Sequence, residues 1–269
     1  MLLRIGNGLV IGFAALTGYV FSSGENVLVG IELFLSAMLI GLFGNIINDI
    51  FDIEIDKINK PWRPLPSGKI SIKEAHIYAI LALITGLIIS VMINLICLIV
   101  AVFASIFLYL YSKTLKKTGF GGNLIIAFLS LLVIIYGGLA TSNPMRSLYP
   151  GIYAFLIILG REVYKGIEDV EGDKKHGVKT IATTLGIKAA FIIGSLLLLT
   201  VVIISPIPYL ILGLNPYYLL IAVLGVDVPI LYSIINIFRN PLDNAWKSTR
   251  ILKIPLLMGL LAFFTGVIL

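Results

Sequence analysis

The sequence predicts an all-α integral membrane protein, and three observations lead to this prediction. Hydrophobic residues make up 59% of the 269-residue chain and charged residues only 13%, about half of the ~25% that is typical of soluble domains. The apolar residues gather into segments near the ~20 residues that a membrane-spanning helix needs. Continuous apolar runs such as 79–91 lack the alternation of a transmembrane β-strand. We therefore expect a bundle of transmembrane helices.

Nine segments are long and apolar enough to be read as spans. They are 5–21, 28–51, 74–93, 96–111, 122–140, 148–167, 188–205, 216–238 and 250–268. The first segment begins like a signal peptide, but no convincing cleavage site follows it, so we expect it to be retained. The least certain break lies at Asn94, and without it two spans would fuse into one helix of about 40 residues, longer than an ordinary crossing.

The distribution of positive charge supports nine spans. With the N-terminus inside, every Lys and Arg except Arg146 falls on the inner side, which makes nineteen of the twenty, as the positive-inside rule requires. A missed span in mid-chain would invert every later loop. We expect a multi-pass protein of the cell membrane with its N-terminus in the cytoplasm. The net charge of +6 then follows from topology, and no nucleic-acid-binding motif accompanies it.

The acidic residues are distributed less evenly than the basic ones. Eight of the fourteen lie in two short blocks, 49–56 and 168–173. Asn48, Asp52 and Asp56 are spaced i, i+4, i+8, which predicts one stripe on a continuing helix. Carboxylates aligned in this way repel one another, and a membrane boundary adds a desolvation cost. We therefore expect a cation among them.

The two acidic blocks repeat one pattern. "DIEIDK" at 52–57 matches "DVEGDK" at 169–174, and each block follows an apolar span and precedes a basic loop. The blocks follow the second and sixth spans, which predicts two four-helix repeats with a ninth helix added. In such an arrangement the two acidic pairs would face one cavity, and residues 1–269 would form a single domain.

Oxygen ligands without neighbouring His or Cys favour Mg²⁺, Mn²⁺ or Ca²⁺. Mg²⁺ in particular is usually held by one or two carboxylates together with substrate phosphates. Basic residues on the same side as the acids suit a diphosphate, and these are Lys60, Arg63, Lys113, Lys116 and Lys165. Solvated acidic loops that cap helices are the alternative interpretation, which the presence of two equivalent copies disfavours.

These residues resemble the UbiA superfamily of intramembrane prenyltransferases. "NDIFDIEID" at 48–56 fits its N-D-x-x-D-x-x-x-D signature, and "DVEGD" at 169–173 fits its D-x-x-x-D signature. The stretches 59–68, 110–117 and 161–186 are also similar, and the last looks most like the archaeal digeranylgeranylglyceryl phosphate synthases. The resemblance implies a nine-helix bundle with a central cavity that opens laterally to lipid and is capped by the motif loops on the cytoplasmic side.

The resemblance also implies a reaction. Geranylgeranyl diphosphate would bind between the acidic pairs through two Mg²⁺ ions, and its C1–O bond would break to give an allylic carbocation. The free hydroxyl of geranylgeranylglyceryl phosphate would then attack C1 in a water-poor chamber. The product would be digeranylgeranylglyceryl phosphate, a precursor of archaeal ether lipids.

Residue roles are carried over from the resemblance in the same way. The metal ligands would be Asn48 and Asp52 for one ion and Asp169 and Asp173 for the other, with Asp49 and Asp56 binding directly or through water. Diphosphate contacts would come from Arg63, Lys113 and Lys165, and from Lys60 and Lys116 unless these only orient the chain. The central catalytic residues would be Asp52, Asp169, Arg63 and Lys113. Tyr111 and Tyr164 would either shield the carbocation with their ring faces or anchor the interface.

Three other functions are considered. A prenyltransferase acting on an aromatic quinone precursor would keep the same donor site. A lipid or ion transporter fits less well, because the repeat is parallel and the acids lie at one membrane face. A CDP-alcohol phosphotransferase would need a D-G-x-x-A-R signature that the sequence lacks. Asp227, about midway along the eighth span, is either functional or satisfied by a polar neighbour. The oligomeric state is left open, a homo-oligomer included.

Overall fold

The computed structural model describes residues 5–175 and 177–268, with the side chain of Asn59 not described. All regular secondary structure in these ranges is helical, which confirms the all-α prediction. The helices are α1 (Ile5–Phe21), α2 (Val27–Phe51), α3 (Ile53–Asn59), α4 (Ile72–Ile93), α5 (Leu95–Lys113), α6 (Phe120–Gly138), α7 (Leu148–Glu168), α8 (Val170–Lys175), α9 (Ile181–Thr184), α10 (Ile187–Ile204), α11 (Ile207–Leu212), α12 (Pro216–Ile221), α13 (Val228–Arg239), α14 (Pro241–Ile251) and α15 (Lys253–Ile268).

Helices occupy the segments that the sequence predicts, with ends that differ by about three residues or fewer, within the usual uncertainty of helix ends. Asn94 ends α4 and caps α5 with its side chain, so the least certain predicted break is real. The eighth segment is α12 and α13 joined by a π-helical turn, Ala222–Asp227. The ninth predicted segment is wrong at its start. Residues 250 and 251 belong to the polar helix α14, residue 252 caps that helix, and α15 begins at residue 253.

Seven helical segments among the described residues are long and apolar enough to cross a membrane. They are Val27–Phe51, Ile72–Ile93, Leu95–Lys113, Phe120–Gly138, Ile187–Leu212, Pro216–Arg239 and Pro241–Ile268. α1 is apolar but shorter, with 17 residues. Large apolar side chains such as Ile80, Ile84 and Ile88 on α4 are about half exposed, which a bilayer explains and an aqueous surface does not.

The chain divides into two compact units. The first contains the described residues of Met1–Leu115 and Val133–Met145, and the second those of Lys116–Leu132 and Arg146–Leu269. In the first unit, a Cβ on Gly18 would clash with the Ile134 carbonyl, and one on Gly137 with the Ala15 carbonyl. Glycine therefore allows α1 to approach the end of α6 backbone to backbone, as small residues do between membrane helices.

Hydrogen bonds between side chains add to this packing in the first unit. The Ser36 hydroxyl on α2 is 2.7 Å from the Ser90 hydroxyl on α4 and 2.7 Å from the Tyr136 hydroxyl on α6. All three side chains are buried. In the absence of water, such bonds link helices that apolar contacts alone would leave free to slide.

The second unit contains Asp227, which lies at the end of the π-helical turn and is buried. Its Oδ2 accepts a hydrogen bond of 2.7 Å from Ser205 Oγ, and the Tyr218 hydroxyl donates to the Ser205 carbonyl at 2.9 Å. Asp227 Oδ1 is buried without a partner among the described residues. The polar neighbour that the sequence allowed is therefore Ser205, which satisfies one of the two carboxylate oxygens of Asp227.

Candidate active site

The first acidic block lies where α2 gives way to α3. α2 ends at Phe51, and Asp52 follows with φ −92° and ψ 3° before α3 begins at Ile53. The Asp52 N–H still donates to the Asn48 carbonyl at 3.0 Å, and the Asp56 N–H donates to the Asp52 carbonyl at 2.8 Å. The expected continuous helix is therefore wrong at one point, because it breaks at Asp52, the second aspartate of the motif.

The side chains of this block form two groups. Asn48 Nδ2 donates to Asp52 Oδ2 at 2.9 Å. Arg63 Nη1 donates to Asp49 Oδ1 at 3.3 Å and also to Asp56 Oδ2. The predicted stripe of Asn48, Asp52 and Asp56 is thus divided, since Asp56 shares a partner with Asp49. Asp49 and Asp56 are only 6% and 4% exposed, and one guanidinium offsets the cost of burying both carboxylates.

The loop that carries Arg63 is held in place by an apolar anchor. Leu65 is 4% exposed and packs in the cluster that includes Phe43, Ile46 and Ile47 of α2. Turn hydrogen bonds run from the Arg63 N–H to the Lys60 carbonyl and from the Ser67 N–H to the Arg63 carbonyl. Flanking prolines further restrict the backbone, so Arg63 is presented to the carboxylates at little conformational cost.

The second acidic block has the same local backbone as the first. α7 ends at Glu168, and Asp169 follows with φ −96° and ψ 6° before α8 begins. The Asp169 N–H donates to the Lys165 carbonyl at 3.0 Å, and the Asp173 N–H donates to the Asp169 carbonyl at 2.9 Å. Asp169 is exposed and Asp173 is half-buried. The sequence match between the blocks is therefore also a match in backbone conformation.

Two charged side chains that the sequence reasoning missed, Arg161 and Glu162, lie next to this block. Glu162 Oε1 accepts from Arg161 Nη1 at 2.5 Å, and its Oε2 is 3.8 Å from Lys165 Nζ. Glu168 Oε2 accepts from Thr249 Oγ1 at 2.6 Å. The only local signal is the i, i+3 spacing of Glu162 and Lys165, because Thr249 is 81 positions from Glu168. Lys165, a diphosphate candidate, is thus paired with a carboxylate on its own helix.

The other predicted cations and aromatic residues have varied surroundings. Lys60 and Lys113 are exposed, and Lys113 Nζ lies 5.8 Å from the centre of the Tyr109 ring. Lys116 and Tyr111 are half-buried. Tyr164 is fully buried; its ring is stacked against Phe191 at a centroid distance of 6.4 Å, and its hydroxyl is 2.7 Å from Ser195 Oγ. Tyr164 is therefore a packing residue between α7 and α10.

Asn45 is a further polar residue that the sequence reasoning missed. It lies on α2 one helical turn before Asn48, and its Nδ2 is buried without a hydrogen-bond partner among the described residues. Leaving a buried donor unsatisfied costs about 1–3 kcal/mol, so a ligand oxygen at this position would be stabilised. No pattern in the sequence distinguishes this asparagine from a packing residue.

The acidic residues do not form a preformed metal cage in the part of the chain that the structure describes. Within residues 5–175 and 177–268, no group of three or more His, Cys, Asp and Glu side chains is close enough to hold an ion. The donors are oxygen atoms arranged in pairs, such as Asn48 with Asp52. Such a set leaves most of a coordination shell to a substrate or to water.

Comparison with known proteins gives concordant results. The sequence matches the UbiA prenyltransferase family over residues 9–264. It is 43% identical to the digeranylgeranylglyceryl phosphate synthase of Saccharolobus solfataricus, over 98% of this chain and 95% of that protein. A solved structure concerned with digeranylgeranylglyceryl phosphate synthase in membranes is 39% identical, with a TM-score of 0.81 over 99% of this chain and 96% of that one.

A more distant structure shares the fold. It is a UbiA homologue from Archaeoglobus fulgidus bound to GPP and Mg²⁺, 20% identical, with a TM-score of 0.65 over 97% of this chain and 98% of that chain. The family match covers almost the whole sequence and includes both acidic blocks. The helices long enough to cross a membrane are those of a multi-pass protein. The chain belongs to the UbiA prenyltransferase family.

Proposed function

We propose that this protein transfers a geranylgeranyl group from geranylgeranyl diphosphate to the free hydroxyl of geranylgeranylglyceryl phosphate. The products are digeranylgeranylglyceryl phosphate and diphosphate. The observation that supports this assignment most strongly is the 43% identity, over nearly the full length of both chains, to a protein named digeranylgeranylglyceryl phosphate synthase. A hydrophobic donor and acceptor suit a chain whose surface is apolar over most of its long helices.

We propose nine membrane crossings, in which α1 and α7 join the seven segments described above. Residues 1–269 would act as one prenyltransferase domain made of two four-helix repeats and a ninth helix. The matching backbone at Asp52 and Asp169 supports the repeat. The confinement of nineteen of twenty basic residues to one side supports a cytoplasmic N-terminus and a cytoplasm-facing site in the plasma membrane.

The oxygen donors of the two blocks fit Mg²⁺. This ion keeps several waters and is commonly bound by one or two carboxylates plus substrate phosphates, which agrees with donors arranged in pairs. Asn48 and Asp52 would hold one ion, and Asp169 and Asp173 a second. Asp49 and Asp56 would contribute through oxygens not engaged by Arg63, or through water. Bound Mg²⁺ neutralises the negative charge that develops on a departing diphosphate.

The basic residues bind and orient the diphosphate in this proposal. A guanidinium has five N–H donors. The two side-chain hydrogen bonds of Arg63 to described residues, which go to Asp49 and Asp56, both come from Nη1. Its remaining donors suit the paired oxygens of a phosphate. Lys113 and Lys165 would add positive charge, with Lys60 and Lys116 at the edge of the site. Together they favour cleavage of the C1–O bond, because charge on the leaving oxygens is stabilised.

The acceptor hydroxyl oxygen then forms a bond to C1 of the allylic cation. Its proton passes to the released diphosphate or to a motif carboxylate. Apolar walls exclude water that would otherwise capture the cation. Tyr111 is a candidate for shielding the cation with its ring face. Tyr164 is the weaker candidate, because its ring is fully buried and stacked against Phe191.

The assignment is tested with purified protein, geranylgeranyl diphosphate and Mg²⁺. The acceptors are geranylgeranylglyceryl phosphate, 4-hydroxybenzoate and dihydroxynaphthoate, and the readouts are diphosphate release and product mass. We expect a dialkylated glycerol phosphate from the first acceptor only, and loss of turnover in EDTA. Transfer to an aromatic acceptor instead would support the quinone alternative. If no acceptor were prenylated and EDTA did not change diphosphate release, the assignment of this protein as a prenyltransferase would be rejected.

A further inference from the structure

Six charged side chains gather where α7 ends beside α14 and the start of α15, all within the second unit. We call them the cationic cluster, and its members are Arg161, Glu162, Lys165, Glu168, Arg250 and Lys253. Four cations accompany two carboxylates, which gives a formal charge of 4 − 2 = +2. The site proposed for the donor does not use Arg161, Arg250 or Lys253.

Interhelical contacts fix the geometry of the cationic cluster. Arg161 Nε donates to the Thr249 carbonyl at 3.0 Å, and the Thr249 hydroxyl donates to Glu168 at 2.6 Å. Arg250 Nη1 is 3.4 Å from Glu168 Oε1, and its guanidinium lies 3.8 Å from the centre of the Trp246 ring. These bonds tie α7 to α14 at two adjacent points. The guanidinium groups of Arg161 and Arg250 are therefore held in place at the contact between the two helices.

The cationic cluster has more positive charge than its own carboxylates engage. Glu162 is already paired with Arg161 and Lys165, and Glu168 with Arg250. The Lys253 side chain makes no hydrogen bond or ion pair with any residue that the structure describes. The charged groups near it are Arg161, Arg250 and Lys165 together with the carboxylate of Glu168. Topology explains why cations lie on the inner side. It does not explain why four of them converge around two carboxylates, which leaves a formal surplus of two positive charges.

The cationic cluster is continuous with the second acidic block. Glu168 directly precedes Asp169, and the Lys165 carbonyl accepts from the Asp169 N–H at 3.0 Å. An anion bound at the cationic cluster would thus lie beside the end of α7, next to a motif that is proposed to hold the donor. The second substrate of the proposed reaction has such an anion, a phosphate monoester a few bonds from its reacting hydroxyl.

We propose that the cationic cluster binds the phosphate monoester of the acceptor lipid, with Lys253 and Arg161 as its principal donors. This inference rests on the proposed function, because it assigns a place to that reaction's second substrate. Arg161 Nη2 donates to no described residue, so both side chains have N–H groups to offer. A phosphate held by Lys253 and Arg161 would set the position of the acceptor hydroxyl, because neither side chain is among those proposed to bind the diphosphate.

The first experiment separates the two substrates kinetically. Lys253→Gln is expected to raise KM for geranylgeranylglyceryl phosphate by about tenfold or more, the usual weight of a hydrogen bond to a charged group. KM for geranylgeranyl diphosphate should change less than about twofold on the same argument. Lys253→Arg should retain most of the acceptor affinity. The inference would be overturned if Lys253→Gln changed both KM values equally or changed neither. It would also be overturned if Lys253→Arg raised KM for the acceptor as much as Lys253→Gln does.

Lys188→Gln is the matched control. Lys188 is the second residue of α10, as Lys253 is the first of α15, and it is exposed without a hydrogen bond to any described residue. The control removes the same charge from the side that topology assigns to the cytoplasm. We expect KM for the acceptor to be unchanged. A rise in KM equal to that of Lys253→Gln would mean that diffuse surface charge attracts the lipid, and would overturn a defined site.

A binding measurement tests the cationic cluster without turnover. Geranylgeranylglyceryl phosphate and its dephosphorylated alcohol are titrated, without donor, into protein held in phosphatidylcholine nanodiscs with or without phosphatidylglycerol. The wild-type protein should prefer the phosphate form in both membranes, and Lys253→Gln should lose that preference. If phosphatidylglycerol abolishes the wild-type preference, the cluster holds a bilayer headgroup and the inference is overturned.

The two proposals fail in different ways. In one outcome the wild-type protein binds the phosphate form, Lys253→Gln does not, and the wild-type protein transfers no geranylgeranyl group. The proposed function is then rejected, and the anion site is retained. If transfer occurs and the phosphate preference is the same in wild type and Lys253→Gln, the proposed function stands and the acceptor site is rejected.

Discussion

The two acidic blocks share the same backbone conformation but lie in different electrostatic environments. In the first, Asp49 and Asp56 are buried against Arg63, an arginine supplied by the following loop. In the second, Asp169 is exposed, and the nearby carboxylates are Glu162 and Glu168, which engage cations of α7 and α14. The contrast teaches that a repeat can keep the turn that presents an aspartate while its surroundings diverge.

That divergence suits two substrates of different charge distribution. The three aspartates of the first block and Arg63 of the following loop leave a surplus of carboxylate, which favours divalent cations. The cationic cluster beside the second block leaves a surplus of positive charge, which favours a phosphate. The predictions below test whether the blocks are equivalent in chemistry and different only in their supporting contacts.

The largest effect is expected at the aspartate that breaks each helix. Asp52→Ala and Asp169→Ala should each abolish turnover, because each removes a proposed metal ligand, and EDTA should do the same to the wild-type protein. Neither side chain is fully buried, so the thermal unfolding midpoint should change little. Product formation by mass and unfolding in detergent are the measurements. Retained activity in either variant would show that the two blocks are not equivalent.

Arg63→Gln should have the next largest effect and should act on stability as well as activity. It leaves Asp49 and Asp56 buried without their shared cation, and breaking such a pair costs about 3–5 kcal/mol when it is fully buried. Adding Asp49→Asn and Asp56→Asn should restore the unfolding temperature but not turnover. If the triple variant regains activity, Arg63 only neutralises the carboxylates and does not contact the diphosphate.

A smaller effect is expected at the contact between α7 and α14. Thr249→Val removes the hydrogen bond from a buried hydroxyl to Glu168, which should lower the free energy of unfolding by about 1.5–3 kcal/mol. Thr200→Val is the control, because Thr200 is exposed and its hydroxyl donates, among the described residues, only to the Leu196 carbonyl of its own helix. Equal unfolding midpoints for the two variants would mean that the Thr249 bond contributes nothing.

The smallest effect is expected at Lys60. Its side chain is exposed at the end of α3, and exposed charges interact weakly and are screened by salt. Lys60→Gln should lower kcat/KM by about twofold at low ionic strength and have no effect at high salt. A loss of tenfold or more that persists in salt would place Lys60 in direct contact with the diphosphate, beside Arg63.

Local sequence patterns were sufficient to locate the long helices and both acidic blocks. An apolar run reveals a helix because the bilayer requires each segment to be apolar over a defined length. The repeated D-x-x-x-D spacing likewise lies within six or so residues and is read directly. The polar helix α14 was missed as a separate element, because residue 250 looks like the start of an apolar span.

Tertiary contacts decided which charges meet. Asp56 was expected on one stripe with Asn48 and Asp52, but it binds the same arginine, Arg63, as Asp49 does. The reasons are that the helix breaks at Asp52 and that Leu65 anchors the loop carrying Arg63. Glu168 meets Thr249 across 81 positions of sequence. The bilayer constrains each segment by itself, so the sequence determined where the helices lie. Ion pairs depend on which segments become neighbours, and only the folded chain settles that.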